Sequence, residues 1–224
     1  SIENYVLNAF LTYEKNIQTA YKNFQFKQAN QLIYECCTEL VSSFYCSITK
    51  DVLYCDAPDS DRRRRVQLLF QVLVEKLLRL LLPILPHTTE EAYQSLYDDS
   101  KCLMLQKPFV IDTTQSSENW NLLLETRQSV LKHLENHKDK GLENSLDAGV
   151  ILPKSLKSYV CSFFELADIF GVSRVQFHDA NTIQIIDLRD QLRCERSWKR
   201  DETVKKRSNQ CILSDRDAIV LGVT

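Results

Sequence analysis

Glycine is nearly missing from this chain: its 224 residues include only 4, and none precedes Gly141. Proline is scarce as well, 5 in all, with Pro58 the first. A stretch that long without the residues that reverse a chain tightly cannot be built of hairpins, so the first half is expected to be helical. A regular cysteine framework is also lacking. The 8 cysteines, at 36, 37, 46, 55, 102, 161, 194 and 211, show no repeated spacing, and a chain this long can build a core without disulfides. Reduced thiols in an intracellular protein are therefore expected. No signal-peptide pattern opens the chain, and Ser1 falls inside a helical pattern, as expected of a fragment of something longer. The most apolar run, residues 66–82, carries Glu75, Lys76 and Arg79, which argues against a membrane span. Net charge is −2, so any binding of nucleic acid has to rest on clustered cations and not on an overall excess.

Catalytic signatures are lacking too. There is no glycine-rich phosphate loop, no Gly-x-Ser-x-Gly and no His-Glu-x-x-His. His133 and His137 stand four apart on a predicted helix, a zinc-compatible spacing. They lack an intervening acid and a third ligand, and Lys132, Glu135 and Lys138 mark a solvated face. The acidic pairs Glu90-Glu91 and Asp98-Asp99 fall at predicted helix ends, where negative charge suits the macrodipole.

What is present is helical periodicity. Ile2, Tyr5, Val6, Ala9, Phe10, Tyr13, Ile17, Ala20, Tyr21 and Phe24 form one apolar stripe. A second helix is predicted over about 27–48, with Leu32, Ile33, Cys36, Leu40, Phe44 and Ile48 buried. The Asp-Ala-Pro-Asp-Ser run at 56–60 ends it, and Asp59 or Ser60 is expected to cap a third helix over about 62–82. That helix is apolar nearly all round from Leu68 onward and should be the most buried. Pro83 and Pro86 stop or kink it. Thr88-Thr89-Glu90-Glu91 has the form of a capping box for a fourth helix through Leu96. Residues 98–117 read as a connector. A helix over about 118–137 follows, with Ser117 as its cap.

From Ala148 the period changes. Residues 150–152, 172–177 and 182–186 read as strands, and 156–170 as a helix ended by Gly171 at a left-handed position. The fold class is thus mainly α: an antiparallel helical bundle over 1–112, a helix and small α/β unit over 113–187, and a polar, basic, irregular tail over 188–224.

Two basic features stand out. Arg62-Arg63-Arg64-Arg65 places four guanidinium groups around one helical turn. It is either a solvated turn beside Asp59 and Asp61 or a phosphate contact, since arginine forks match phosphate oxygens. Residues 188–210 hold eight Lys or Arg (189, 193, 196, 199, 200, 205, 206, 207) against four acids, around Trp198. Charge around a stacking ring suits single-stranded RNA loops, and the alternative is a loose basic tail. The tail also places Cys194 and Cys211 three residues before Ser197 and Ser214. Two paired Cys-x-x-Cys knuckles would bind zinc, but serine hydroxyls do not ionise near neutral pH, so no metal is expected here.

Together, residues 42–45 (Ser-Ser-Phe-Tyr), 50–54 (Lys-Asp-Val-Leu-Tyr), Arg63-Arg64, Gln67, 77–81 (Leu-Leu-Arg-Leu-Leu), 83–86 (Pro-Ile-Leu-Pro) and Thr88-x-Glu90-Glu91 resemble the anticodon-binding bundle of class I isoleucyl-tRNA synthetases of bacterial or organellar type. Residues 145–148 with Val150, and 172–175, resemble the small α/β domain that follows the bundle in that family. Residues 194–198 (Cys-Glu-Arg-Ser-Trp) resemble the opening of its C-terminal zinc ribbon. The resemblance covers essentially the whole chain and implies a tRNA-holding region. Adenylation, with ATP and Mg, and editing would lie in upstream domains, because the His-Ile-Gly-His-like and Lys-Met-Ser-Lys-Ser-like elements are absent here.

The partners so implied are an isoleucine-accepting tRNA and the upstream catalytic and editing domains. The expected state is a monomer, in the cytoplasm or an organellar matrix. Candidate RNA contacts are Lys50, Arg62, Arg63, Arg64 and Arg65 for backbone, and Trp198, Lys199, Arg200, Lys205, Lys206 and Arg207 for the loop. Departures from the family pattern are Val52 for a basic residue, Arg65 for a small one, and the two ribbon serines. The competing readings are the same region of a valyl or leucyl enzyme, against which the ribbon-like opening at 194–198 argues, and a catalytically silent interaction scaffold.

Overall fold

The computed structural model describes residues 1–97, 102–107, 111, 120–139, 141–160, 166–179 and 181–223. It forms two compact units: Ser1–Cys46 with Arg64–Ser116, and Ser47–Arg63 with Ser117–Thr224. Residues 47–63 group with the second unit, where the charge pairs described below link them to it.

In the first unit, α1 (Ile2–Lys22) buries the predicted stripe at Ile2, Val6, Phe10, Ile17 and Ala20. Phe24 does not belong to that stripe. It follows the helix end with φ 57 and is 80% exposed, taking the left-handed position that a glycine-poor chain fills with another residue. The Gln25 amide then closes the end by donating to Ala20 O at 2.8 Å. The second predicted helix is three joined segments: α2 (Phe26–Glu35), a π-helical stretch (Cys36–Cys46) and α3 (Ser47–Cys55). Its buried positions Ile33, Cys36, Leu40, Phe44 and Ile48 recur mostly in steps of four, wider than the 3.6-residue α repeat and in keeping with the wider π turn.

α4 (Asp61–Leu81) begins as predicted: Ser60 Oγ accepts from the Arg63 amide at 3.1 Å. It is less buried than its composition implies. Val66, Leu69, Leu73, Leu78 and Leu80 face inward, but Leu68 is 62% exposed. Its buried Lys76 is neutralised by Glu14 of α1 at 2.8 Å. α5 (Pro86–Tyr97) starts at Pro86, whose missing N–H costs nothing in the first turn. The Thr88–Glu91 capping box does not form. Thr89 donates back to Leu85 O at 2.9 Å, and Glu90 accepts from the Leu103 amide at 2.9 Å. Leu103 is fully buried against Leu78 and Tyr93. The predicted cap Ser117 and the pair Asp98-Asp99 lie outside the described residues.

In the second unit α6 (Trp120–Lys138) leads to β1 (Ala148–Pro153). α7 (Lys157–Val160) and α8 (Leu166–Phe170) occupy the single predicted helix, whose middle lies outside the described residues. Gly171, at φ 69, ends α8 as expected, with Val172 N donating to Ala167 O at 2.9 Å. β2 (Arg174–His178) pairs parallel to β1, and β3 (Gln184–Asp187) pairs antiparallel on its other edge, giving the order β2-β1-β3. The tail is not irregular. β4 (Lys205–Lys206) and β5 (Ile212–Leu213) form a hairpin, and α9 (Asp215–Leu221) follows, with Ser214 accepting from the Asp217 amide. Cys194, Val204, Leu213 and Ala218 form the tail's own small core. Among the described residues no helix is long and apolar enough to cross a membrane.

Candidate nucleic-acid interface

The four-arginine turn splits by burial. Arg62 is an internal group. Its guanidinium lies 2.7 Å from Asp168 and 3.4 Å from Asp56, and its side chain is only 27% exposed. Arg63 donates to Asp56 O at 3.0 Å. Arg64 and Arg65 are exposed, and among the described residues neither has an acidic partner. They stand one turn before the exposed Leu68 on α4. Lys50 on α3 is likewise exposed and without an acidic partner among the described residues.

The tail splits in the same way. Lys199 Nζ sits 2.5 Å from Asp168 and 3.2 Å from Asp51, with its side chain 13% exposed. Burial would lower its pKa, but Asp168 and Asp51 outweigh that and raise it, so it stays charged. Arg200 pairs with Asp147 at 2.7 Å. Arg207 is buried and donates to Leu213 O at 3.0 Å and to Asp215 at 2.7 Å, which staples β4 to β5. Lys206 is exposed, and Lys205 makes one loose contact with Asp215 at 3.6 Å. A cleft of 380 Å³ between the tail and β2 is lined by Arg174, Asp201, Glu202, Thr203, Asp215 and Arg216. Three carboxylates against two guanidinium groups leave it without a net pull on phosphate.

Trp198 is 55% exposed, and its ring carries the Arg193 guanidinium 5.6 Å from its centroid. Its φ is 62, a conformation that costs a bulky residue about 1–2 kcal/mol. The turn that imposes it is closed by two bonds of 2.9 Å, Trp198 N to Cys194 O and Cys194 N to Lys199 O. A strained, exposed aromatic ring under a cation is a ready stacking platform. Arg193 was absent from the sequence-based candidate set. Its five-residue separation from Trp198 matches no simple periodicity, and only the Cys194–Lys199 turn brings the two together.

The sequence overlooked the charges that hold this unit together. Asp51 accepts from Arg216 at 2.5 and 3.0 Å and from Lys199 at 3.2 Å. Burial pushes its carboxyl up, but the Arg216 hydrogen bonds and Lys199 outweigh it and hold the pKa at about 2. At Asp56 burial wins over Arg62, and the pKa is raised. The chain Asp56–Arg62–Asp168–Lys199–Asp51–Arg216–Asp217 alternates in sign throughout. It joins α3, the start of α4, α8 and the tail. No local pattern reveals it, because bonded members lie up to 165 residues apart.

The four positions of the implied zinc set have other partners or none. Cys194 Sγ donates to Asp217 Oδ2 at 3.0 Å, and Ser214 Oγ lies 3.1 Å from the same oxygen. Ser197 Oγ is shielded from solvent without a hydrogen-bond partner among the described residues, and Cys211 packs against the tail core. One thiol and one hydroxyl on a carboxylate, with a second hydroxyl left unpartnered, are not a zinc-ribbon donor set. His133 and His137 each direct Nδ1 at the backbone carbonyl four residues earlier, at 2.7 and 2.8 Å. Among the described residues no group of three or more His, Cys, Asp or Glu is placed to hold a metal ion.

The family description "Anticodon-binding domain of tRNA ligase" matches residues 3–152. Similar curated proteins include the isoleucine–tRNA ligase of Acholeplasma laidlawii, 34% identical over 193 residues, covering 81% of this chain and 22% of that protein. The isoleucine–tRNA ligase of Petrotoga mobilis is 32% identical over 207 residues, covering 84% and 22%. That of Oceanobacillus iheyensis is 26% identical over 237 residues, covering 98% and 26%. The chain thus spans about a quarter or less of the length of these relatives. Because the matched span runs from α1 through the bundle into β1, the chain belongs to the anticodon-binding domain family of tRNA ligases.

Proposed function

We propose that this chain is the region of an isoleucine–tRNA ligase that grips the anticodon stem and loop of an isoleucine-accepting tRNA. ATP- and Mg-dependent aminoacylation, and editing, belong to the rest of that enzyme. The observation that carries the reading is the family match over 3–152 together with isoleucine-ligase relatives aligned across both units. A cytoplasmic or organellar-matrix setting and a monomeric state follow from the same reading.

Within it, the exposed cations Lys50, Arg64, Arg65, Lys205 and Lys206 contact phosphate, and Trp198 with Arg193 stacks on an unpaired base. Arg62, Arg63, Lys199, Arg200 and Arg207 act one step back, by holding the exposed groups in place. The tail is assigned a ribbon-like role in which the turn at 194–199 presents the ring.

The test is gel-shift competition between an isoleucine tRNA and one with a scrambled anticodon, over a range of salt. Binding is expected to favour the matched tRNA and to weaken with a log–log slope of about −0.7 per neutralised phosphate. Equal affinity for both tRNAs, or affinity indifferent to salt, overturns the proposal and leaves a protein-binding scaffold as the alternative.

A further inference from the structure

The tail holds a buried carboxylate that the RNA-binding reading does not use. Asp217 is fully buried on α9, in the first turn after Ser214. An unpaired carboxylate at that depth would be strongly destabilising, so each of its oxygens must be satisfied. Oδ2 accepts from Cys194 Sγ at 3.0 Å and faces Ser214 Oγ at 3.1 Å. Oδ1 accepts from Arg216 Nε at 3.2 Å and Nη2 at 3.1 Å, with Arg196 Nε at 3.9 Å. Cys194 and Ser214 are both buried and stand at two of the four knuckle positions. The third, Cys211, packs on the same core as Cys194, and the fourth, Ser197, keeps its hydroxyl shielded from solvent. The two knuckles are laced together where the Glu195 amide donates to Ile212 O at 2.9 Å.

We infer that this tail is a ribbon closed by protein charge in place of metal, with the Asp217 carboxylate as common partner of Cys194 and Ser214 and the Arg216 guanidinium as its counter-ion. A zinc ribbon concentrates a central cation among anionic thiolates. Here the polarity is inverted: a central anion accepts hydrogen bonds from the Cys194 thiol and the Ser214 hydroxyl of the knuckles, and positive charge arrives from outside. The inversion makes the closure continuous with the rest of the unit, because the same guanidinium reaches Asp51 of α3 at 2.5 Å. A metal would tie the knuckles only to each other, whereas Arg216 also ties them to α3. The layout of knuckles rests on the family reading, but the closure does not depend on RNA, so failure of tRNA binding leaves it standing.

Three measurements on the 224-residue chain test it. The purified protein is expected to carry no stoichiometric zinc, and neither a strong chelator nor added ZnCl2 should shift its thermal unfolding. Asp217→Asn keeps the shape but removes the charge, and should selectively lower hydrogen-exchange protection in β4, β5 and α9. The double substitution Ser197→Cys with Ser214→Cys, on Asp217→Asn, rebuilds a four-thiolate set. It should bind Co2+ with the visible absorption of tetrahedral thiolate coordination, whereas the unaltered chain should not. Zinc bound one to one by the unaltered chain, or unchanged tail protection in Asp217→Asn, overturns the inference. So does failure of the four-cysteine variant to bind Co2+, since the knuckle positions would then not converge where Asp217 sits.

Discussion

Replacing Asp51 by Asn removes the central negative charge of the alternating network and leaves its shape intact. Asp51 is only 11% exposed and receives a two-pronged contact from Arg216 at 2.5 and 3.0 Å, with Lys199 at 3.2 Å. Breaking one partner out of a buried pair costs about 3–5 kcal/mol when the other is stranded. Neither cation is stranded here: Lys199 keeps Asp168 at 2.5 Å, and Arg216 keeps Asp217 at 3.1 Å. The expected loss is therefore smaller, about 2 kcal/mol. A second route gives the same size. The Asp51 carboxyl is held at about 2 against an ordinary 3.8, and each unit of depression contributes about 1.4 kcal/mol. The sign follows from that depression. The stabilisation is fully present above pH 4 or so, and is lost as pH falls through the folded value near 2. The raised Asp56 acts in the opposite sense, and comparing the variant with the unaltered chain cancels it. Urea unfolding followed by the fluorescence of Trp120 and Trp198, both in the second unit, reads the difference at pH 7 and at steps down to pH 2. A gap below about 0.5 kcal/mol at pH 7, or a gap that stays constant with pH, would refute the assignment of Asp51 as the hub.

Trp198→Gly separates fold from function: the left-handed turn relaxes, so stability should hold or rise by up to about 1 kcal/mol, while tRNA affinity falls by about 1–3 kcal/mol. Loss of both would mean that the ring is part of the core. Arg64→Ala with Arg65→Ala should leave the melting temperature nearly unchanged and make the salt slope shallower by about 1.4 if each contacts one phosphate; an unchanged slope returns these arginines to solvent. Ser60→Ala removes the cap of α4 and should cost about 1 kcal/mol in urea unfolding. Burial pushes the Cys36 thiol up to about 12, so it should resist alkylation at pH 8 in the folded chain and react once unfolded, as mass spectrometry of labelled peptides would record.

The helices were legible because the information that sets them is local. The α1 stripe, the Ser60 cap and the Gly171 stop each depend on residues within a turn or two, and all three appear as expected. Where the sequence misled, an earlier helix start or a missing residue type was responsible. The Thr88–Glu91 motif has the spacing of a capping box, yet Pro86 opens the helix earlier and leaves Thr88 inside the first turn, where it cannot cap. Phe24 continues the apolar period of α1 but lies beyond its end, because a chain without early glycine must place some side chain at the left-handed position. The small sheet was readable as three strands; its mixed order β2-β1-β3 was not, since pairing depends on connections that periodicity does not encode.

The basic tail shows why a charge count is a poor footprint. Eight Lys or Arg against four acids over 188–210 looks like an unneutralised surface. Most of those cations meet carboxylates outside that window: Arg189 meets Asp187, Arg196 and Arg207 approach Asp217 and Asp215, Arg200 meets Asp147, and Lys199 meets Asp51 and Asp168. The excess is spent largely inside the fold, where it fastens the tail to α3 and α8. What remains exposed is small and specific: a ring under Arg193 and two hairpin lysines. Affinity in this tail should therefore depend more on the geometry of the Cys194–Lys199 turn than on its charge. A neutralising change at Lys199 should then weaken binding by loosening that turn, with the salt slope unchanged, whereas a change at Lys206 should alter the slope and leave stability alone.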